Sequence, residues 1–160
     1  MEPITLDQTD LALLAQVQSD ASLSNQELAQ RVHTSAPTCL RRLKRLRDAG
    51  LIERQVAILQ PERLAQSLGH GLTAIVEVTL ERQDADSLNA FERRAVAEDA
   101  VQQSYQVSPG PDFVLVLHLA NMPAYQTLVQ RLFTSDANVR NVKAFFSVKR
   151  GKFGAELPLG

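Results

Sequence analysis

An α+β chain in two unlike parts is what the sequence predicts, and three observations predict it. From Asp7 to Gly50, apolar residues recur every three or four positions in three short runs, the spacing of amphipathic helices. From Leu72 to Lys149, four strand-like runs alternate with two helical ones in the order β-α-β-β-α-β. Between them, residues 60–71 (QPERLAQSLGHG) are punctuated by Pro61, Gly69 and Gly71, with only Leu64 and Leu68 to support a short helical turn. The expected parts are residues 1–59, a joint at 60–71, residues 72–150 and a tail at 151–160. A chain of 160 residues is long enough for each part to bury a core of its own.

The first helix is expected over 7–19. Asp7 can cap it, and Leu11, Leu14 and Val17, with Leu13 beside them, form its stripe. Asp7 and Asp10 also suit the positive end of the helix. Ser24 with Glu27 three residues on is a capping box, and Leu28, Ala29 and Val32 follow as a second stripe. That pattern stops at His33-Thr34. A third helix starts near Ser35, tolerates Pro37 in its first turn, and stops at Gly50, which suits a left-handed residue.

On a helical wheel, Ala36, Cys39, Leu40, Leu43 and Leu46 fall on one side of this third helix. Thr34, Thr38, Arg41 and Arg45 take the centre of the other, with Ser35, Arg42 and Lys44 at its edges. Two helices joined by a tight break, the second with hydroxyls at its start and guanidiniums along it, have the form of a helix-turn-helix. Arginine can donate two bonds to a guanine edge, and serine and threonine bond phosphates or bases. A basic helix face is ordinarily just solvated. Here residues 31–54 hold seven Lys or Arg against two acids within a chain of net charge −1, and this local reversal points to duplex DNA. Residues 51–59 (LIERQVAIL) are rich in branched side chains and read as a short strand, the wing of a winged helix-turn-helix.

In the second part the expected strands are 72–80, 101–108, 113–120 and 139–149, and the helices are 84–98 and 123–134, the latter starting at Pro123. This is the ferredoxin-like βαββαβ order, an antiparallel sheet with both helices on one face. The run 113–120 is apolar on both sides, with Phe113, Leu115, Leu117 and Leu119 against Val114, Val116 and His118. Two helices cover one face only. The other is expected to meet a second copy of the chain, since large apolar patches are rare on monomers.

Composition narrows the function further. A single cysteine, Cys39, excludes an intrachain disulfide, fits a reducing cytoplasm, and faces inward on the wheel. No apolar run is long enough to span a membrane, and no secretory leader is expected. His33, His70 and His118 are scattered without ligand spacing, and no glycine-rich phosphate loop or nucleophile motif appears, so neither metal nor cofactor is expected.

Particular residues then resemble a known family. Leu6-Asp7-x-x-Asp10-x-x-Leu13-Leu14, Ser24-Asn25-x-Glu27-Leu28, Ser35-x-x-Thr38-Cys39-Leu40-x-Arg42-Leu43-x-Arg45-Leu46 and Gly50-Leu51-Ile52 are similar to the Lrp/AsnC regulators. These are the leucine- and asparagine-responsive, or feast/famine, proteins of bacteria and archaea. Pro61, Asp112 and the βαββαβ tail continue the likeness over nearly the whole chain.

The resemblance implies a transcription factor whose winged helix binds DNA. Its second domain would dimerise, assemble further into octamers, and bind an amino acid between subunits. Two places depart from the family pattern. His33-Thr34 stands where Gly-Leu is usual. The turn Val107-Ser108-Pro109-Gly110-Pro111-Asp112 replaces a hydrophobic-Thr-Gly-x-x-Asp turn. By the resemblance, Ser108, Gly110 and Asp112, with Tyr105 nearby, are the effector candidates, Asp112 for an α-amino group. Pro109 and Pro111 lack the N–H groups that would bind a carboxylate, so weak binding of ordinary amino acids, or a different effector such as a related small metabolite, is expected.

Two other readings share parts of this pattern. One is a haem-pathway decarboxylase of the siroheme type on the same two-part fold, for which the second part offers few of the His and Arg residues that a porphyrin cleft requires. The other is a weakly specific architectural DNA-binding protein, recognised by flat affinity across unrelated duplexes.

Overall fold

The computed structural model describes residues 4–69 and 71–159. Residues 1–3, His70 and Gly160, which belong to the expected first part, joint and tail, lie outside the described residues. The chain packs as two units. One runs to Ile58 and takes in the tail from Lys152, and the other spans Leu59–Gly151. The tail thus goes with the helical unit. Its Leu157 backbone is held at both ends by one amide, Gln18 Nε2 donating to the carbonyl at 2.8 Å and Oε1 accepting from the N–H at 2.9 Å.

The helical unit is built of α1 (Gln8–Ser19), α2 (Asn25–Arg31) and α3 (Ala36–Asp48). Each start has its local cause. Asp7 and Asp10 form a capping box on α1, Ser24 and Glu27 form one on α2, and Ser35 Oγ accepts the Thr38 N–H on α3. The end of α2 is unusual, because His33 is left-handed with φ 54° while the Thr34 N–H reaches back to the Ala29 carbonyl at 2.9 Å. A glycine commonly fills that position in such a stop. Gly50 (φ 72°) closes α3 in the same way, with the Leu51 N–H on the Leu46 carbonyl. Leu13, Val17, Leu28, Ala29, Cys39, Leu43 and Leu46 make the core. Cys39 is fully buried, and burial pushes its thiol above the usual range.

Two expectations are corrected here. Leu40, placed on the apolar side by the wheel, is 57% exposed: it lies at the edge of the stripe, and neither α1 nor α2 extends over it. Residues 53–60 have no regular secondary structure and form no wing strand, with Val56, Ile58 and Leu59 exposed. Branched residues favour a strand only where another strand accepts the backbone bonds, and this segment has none in its own chain among the described residues.

In the second unit the joint is a two-turn helix, α4 (Pro61–Leu68), stopped by left-handed Gly69. Strands β1 (Leu72–Leu80), β2 (Val101–Gln106), β3 (Phe113–Leu119) and β4 (Val139–Phe146) form one antiparallel sheet in the order β2-β3-β1-β4. Helix α5 (Ala85–Val96) and helix α6 (Met122–Leu128), which continues as a π-helical turn (Val129–Thr134), lie on one face. Phe91 of α5 meets the Phe113 ring at 4.9 Å and the Phe133 ring at 6.4 Å. Ala74, Val76, Val78, Leu115 and Leu117 complete the seal beneath them, each fully buried.

The other sheet face is open. Ile75 is 43% exposed, Phe145 54% and Tyr105 53%, with Val114 and Val116 half-buried between them. No helix among the described residues is long and apolar enough to cross a membrane.

Candidate nucleic-acid interface

Helix α3 divides sharply along its length. Cys39, Leu43 and Leu46 point into the core, and Pro37, Arg41 and Lys44, spaced four and three apart, line the outward side. The helix is held at both ends of its first turn. Ser35 Oγ, besides capping, donates to Thr38 Oγ1 at 2.9 Å, and Asn25 Nδ2 donates to the Ala36 carbonyl at 2.7 Å, fixing the start of α3 against α2. Thr34, Ser35 and Thr38 therefore cluster at the positive end of α3, where phosphate oxygens are favourably bound.

The arginines are not equivalent. Arg41 is exposed and pairs with no acid among the described residues. Lys44 is also exposed, 3.3 Å from Asp48 one turn on, a contact worth little in water. Arg42 corrects the sequence reading, which placed it at the edge of the DNA face. Its Nη1 donates to Asp7 Oδ2 at 2.7 Å and to Asp10 Oδ1 at 2.8 Å, and its side chain is only 24% exposed. The wheel gave its angle correctly, but α1 crosses at that angle and covers it. Arg45 is shared, with Nη2 bonded to Asp10 Oδ2 and the side chain 48% exposed.

The sequence reading placed Asp10 only at the positive end of α1. It is buried, the only charged side chain so placed among the described residues. Burial alone would raise its carboxyl pKa. The Asp7 N–H and the guanidiniums of Arg42 and Arg45 outweigh that and hold it below the usual carboxylate range. The signal was available: Asp10 sits on the buried stripe, three residues before Leu13 and seven before Val17, where an acid requires a partner.

The four effector candidates lie around the β2–β3 turn. Tyr105 is on the open sheet face, its hydroxyl donating to Gln103 Oε1 at 3.2 Å. The Val107 N–H bonds the Asp112 carbonyl at 3.0 Å, closing a turn that contains a cis Ser108–Pro109 bond and Gly110 at φ 119°. Asp112 is corrected in part. One of its oxygens accepts the Leu80 N–H at 2.6 Å, so it is not wholly available to a ligand amine. The cause is where β3 begins: Val78 pairs with its first residue, Phe113, so the Leu80 N–H, which points to the same side, lies beyond the strand and needs another acceptor.

Comparison with known proteins agrees with this geometry. Residues 6–53 match a family described as winged helix-turn-helix DNA-binding, and residues 73–157 match the Lrp/AsnC ligand binding domain. The chain is 33% identical to the leucine-responsive regulatory protein of Rhizobium meliloti, over 98% of this chain and 97% of that one. It is 30% identical to the DNA-binding transcriptional activator DecR of Escherichia coli, over 96% and 99%. Among solved structures, a transcriptional regulator of Neisseria meningitidis in complex with L-Met superposes with a TM-score of 0.84 at 32% identity, covering 97% of each chain.

Proposed function

The chain belongs to the Lrp/AsnC family of DNA-binding transcriptional regulators, and from that premise we propose that the outward side of α3 is what reads duplex DNA. Arg41 and Arg45 contact base edges, and Lys44, Thr34, Ser35 and Thr38 contact phosphates. One observation carries this reading. The exposed side of α3 holds a cation without an acid partner among the described residues at Arg41 and a second, paired only with exposed Asp48, at Lys44, and its inward side is engaged in the core. Arg42 drops out, because two carboxylates already neutralise it.

Selection of bound duplexes from a random pool, followed by anisotropy titrations, tests the assignment. Arg41→Ala or Arg45→Ala weakens binding to the selected duplex by about 1–3 kcal/mol and relaxes its sequence preference. Equal affinity of both variants and wild type for that duplex defeats the assignment. Flat affinity of the wild type across unrelated duplexes identifies an architectural protein instead.

The sheet unit is the regulatory half of this proposal. Two copies join through the open faces carrying Ile75, Val116 and Phe145, dimers assemble further into octamers, and an α-amino acid binds near Tyr105, Ser108, Gly110 and Asp112. Support for the ligand class is the ligand binding domain match and the L-Met complex of the Neisseria relative. Pro109 and Pro111 supply no N–H, and Asp112 is half engaged, so affinity for ordinary amino acids is weak. Thermal-shift screening of the twenty amino acids tests this, and stabilisation at sub-millimolar ligand contradicts it. Light scattering tests assembly; Val116→Asp abolishes it, and a wild-type monomer at micromolar concentration refutes it. The protein acts in the cytoplasm. It carries no catalytic cofactor, and a visible absorption band from a bound tetrapyrrole would overturn the latter.

A further inference from the structure

The contact between α1 and α3 sets two acids, Asp7 and Asp10, against two arginines, Arg42 and Arg45, so the cluster has no net formal charge. The two arginines play different parts within it. Arg42 is mostly covered and takes one carboxylate oxygen of Asp10. Arg45 takes the other with Nη2 alone and stays about half exposed, so Nη1 and Nε lie outside the pair.

A guanidinium is a rigid planar fork, and fixing one of its nitrogens removes most of its rotational freedom. The Asp10 carboxylate is itself fixed, being fully buried and bonded also to the Asp7 N–H at 3.1 Å and to Arg42 at 2.8 Å. An exposed arginine is ordinarily flexible and contacts bases and phosphates alike. One tethered to a buried acid presents its remaining donors in a single orientation.

We propose that Asp10 is a specificity-determining positioning residue: a buried carboxylate on α1 that holds the Arg45 fork on α3 in the orientation that reads a base. The proposal rests on the assignment of Arg45 to a base edge. It also gives Asp10 a second effect. Its negative charge offsets Arg45, so the arginine supplies hydrogen-bond geometry rather than net attraction for phosphate. Asp10 therefore acts against nonspecific binding as well as for specific binding.

These two effects make the role separable from a structural one. The measured quantity is the ratio of affinities for the selected duplex and for a shuffled duplex of the same composition, with the salt slope of each. Asp10→Asn keeps the shape and a cap acceptor. It lowers the ratio about tenfold, by weakening the selected duplex and strengthening the shuffled one, whose salt slope steepens by about one. A loss of folded structure alone would weaken both duplexes together.

Asp10→Asn in an Arg45→Ala background produces no further loss of ratio. Arg42→Gln breaks the other half of the cluster, lowering thermal stability while leaving the ratio intact. Arg45→Lys keeps the charge and the ion pair without the planar fork, and lowers the ratio with an unchanged salt slope. This variant carries the test if Asp10→Asn is unstable.

A ratio that falls in Arg45→Ala but not in Asp10→Asn overturns the positioning role alone, as does a ratio retained in Arg45→Lys. A ratio unchanged in Arg45→Ala removes Arg45 as a base reader, and the proposal falls with that reading.

Discussion

The helical unit closes the contact between α1 and α3 around a buried carboxylate held by two guanidiniums. The sheet unit closes its core with Phe91, Phe113 and Phe133, and no charged side chain is buried there among the described residues. The difference teaches what each unit must hold constant. Apolar contacts are strong in sum but non-directional, so a core built from them tolerates small shifts. An ion pair with hydrogen bonds at both carboxylate oxygens is directional. It fixes the angle of one helix on another, which is what the proposed reading of DNA by α3 requires.

The comparison is broken most forcefully in the sheet unit. Phe91→Ala removes the ring that both Phe113 and Phe133 pack on, and destabilises that unit by about 3–5 kcal/mol in denaturant unfolding. Amide protection in α1–α3 serves as the internal control and is retained.

Asp10→Ala is the counterpart in the helical unit and costs about 2–3 kcal/mol. This lies below the usual range for a broken buried pair, because Arg42 and Arg45 regain partial access to water. The same group gives the units different acid responses. The carboxyl of Asp10 has its pKa depressed by folding, so its contribution is complete above the unfolded value of about 4 and is lost as pH falls through the lower folded value. Exchange measured during acid titration therefore shows α1 and α3 losing protection before β1 and β3. The reverse order would mean that the ion pairs do not support the contact.

A smaller effect sharpens the picture on the sheet side. Asp112→Ala leaves the Leu80 N–H without its acceptor and costs about 1–3 kcal/mol, whereas Asp112→Asn keeps an acceptor and costs little. Thermal melts of the two variants distinguish them. Asp112→Asn then reports on the ligand role alone, and loses any amino-acid stabilisation seen in the wild type. The smallest effect is a gain. His33→Gly relieves about 1–2 kcal/mol of left-handed strain and adds back part of it as unfolded-chain entropy, leaving about 0.5–1 kcal/mol of stabilisation in a thermal melt.

Most of the architecture was legible because its causes are local. Ser24 with Glu27, Ser35 before Pro37, and Gly50 mark helix ends through bonds that span a few residues, and the β-α-β-β-α-β order from Leu72 on sets which elements form the sheet and which cover it. The interface was legible only as angles. A wheel places Arg42 and Leu40 around α3 but contains nothing about where α1 crosses, so it leaves Arg42 open and Leu40 covered. Asp112 on Leu80 spans 32 residues and depends on where β3 begins opposite β1, which no spacing announces. The strand expected in the wing is missing for a related reason, since residues 53–60 have strand-forming side chains but no neighbouring strand among the described residues.

Cys39 offers the experimenter a clock. It is the only thiol in the chain, and it sits at zero exposure between the three helices, where burial pushes its pKa above the usual range and keeps reagents out. A thiol-specific chromophore added in excess can react only when the helical unit opens, and nothing elsewhere contributes background. The labelling rate thus counts opening events of one half of the molecule in the intact protein, with or without DNA, without isotopes or an engineered probe.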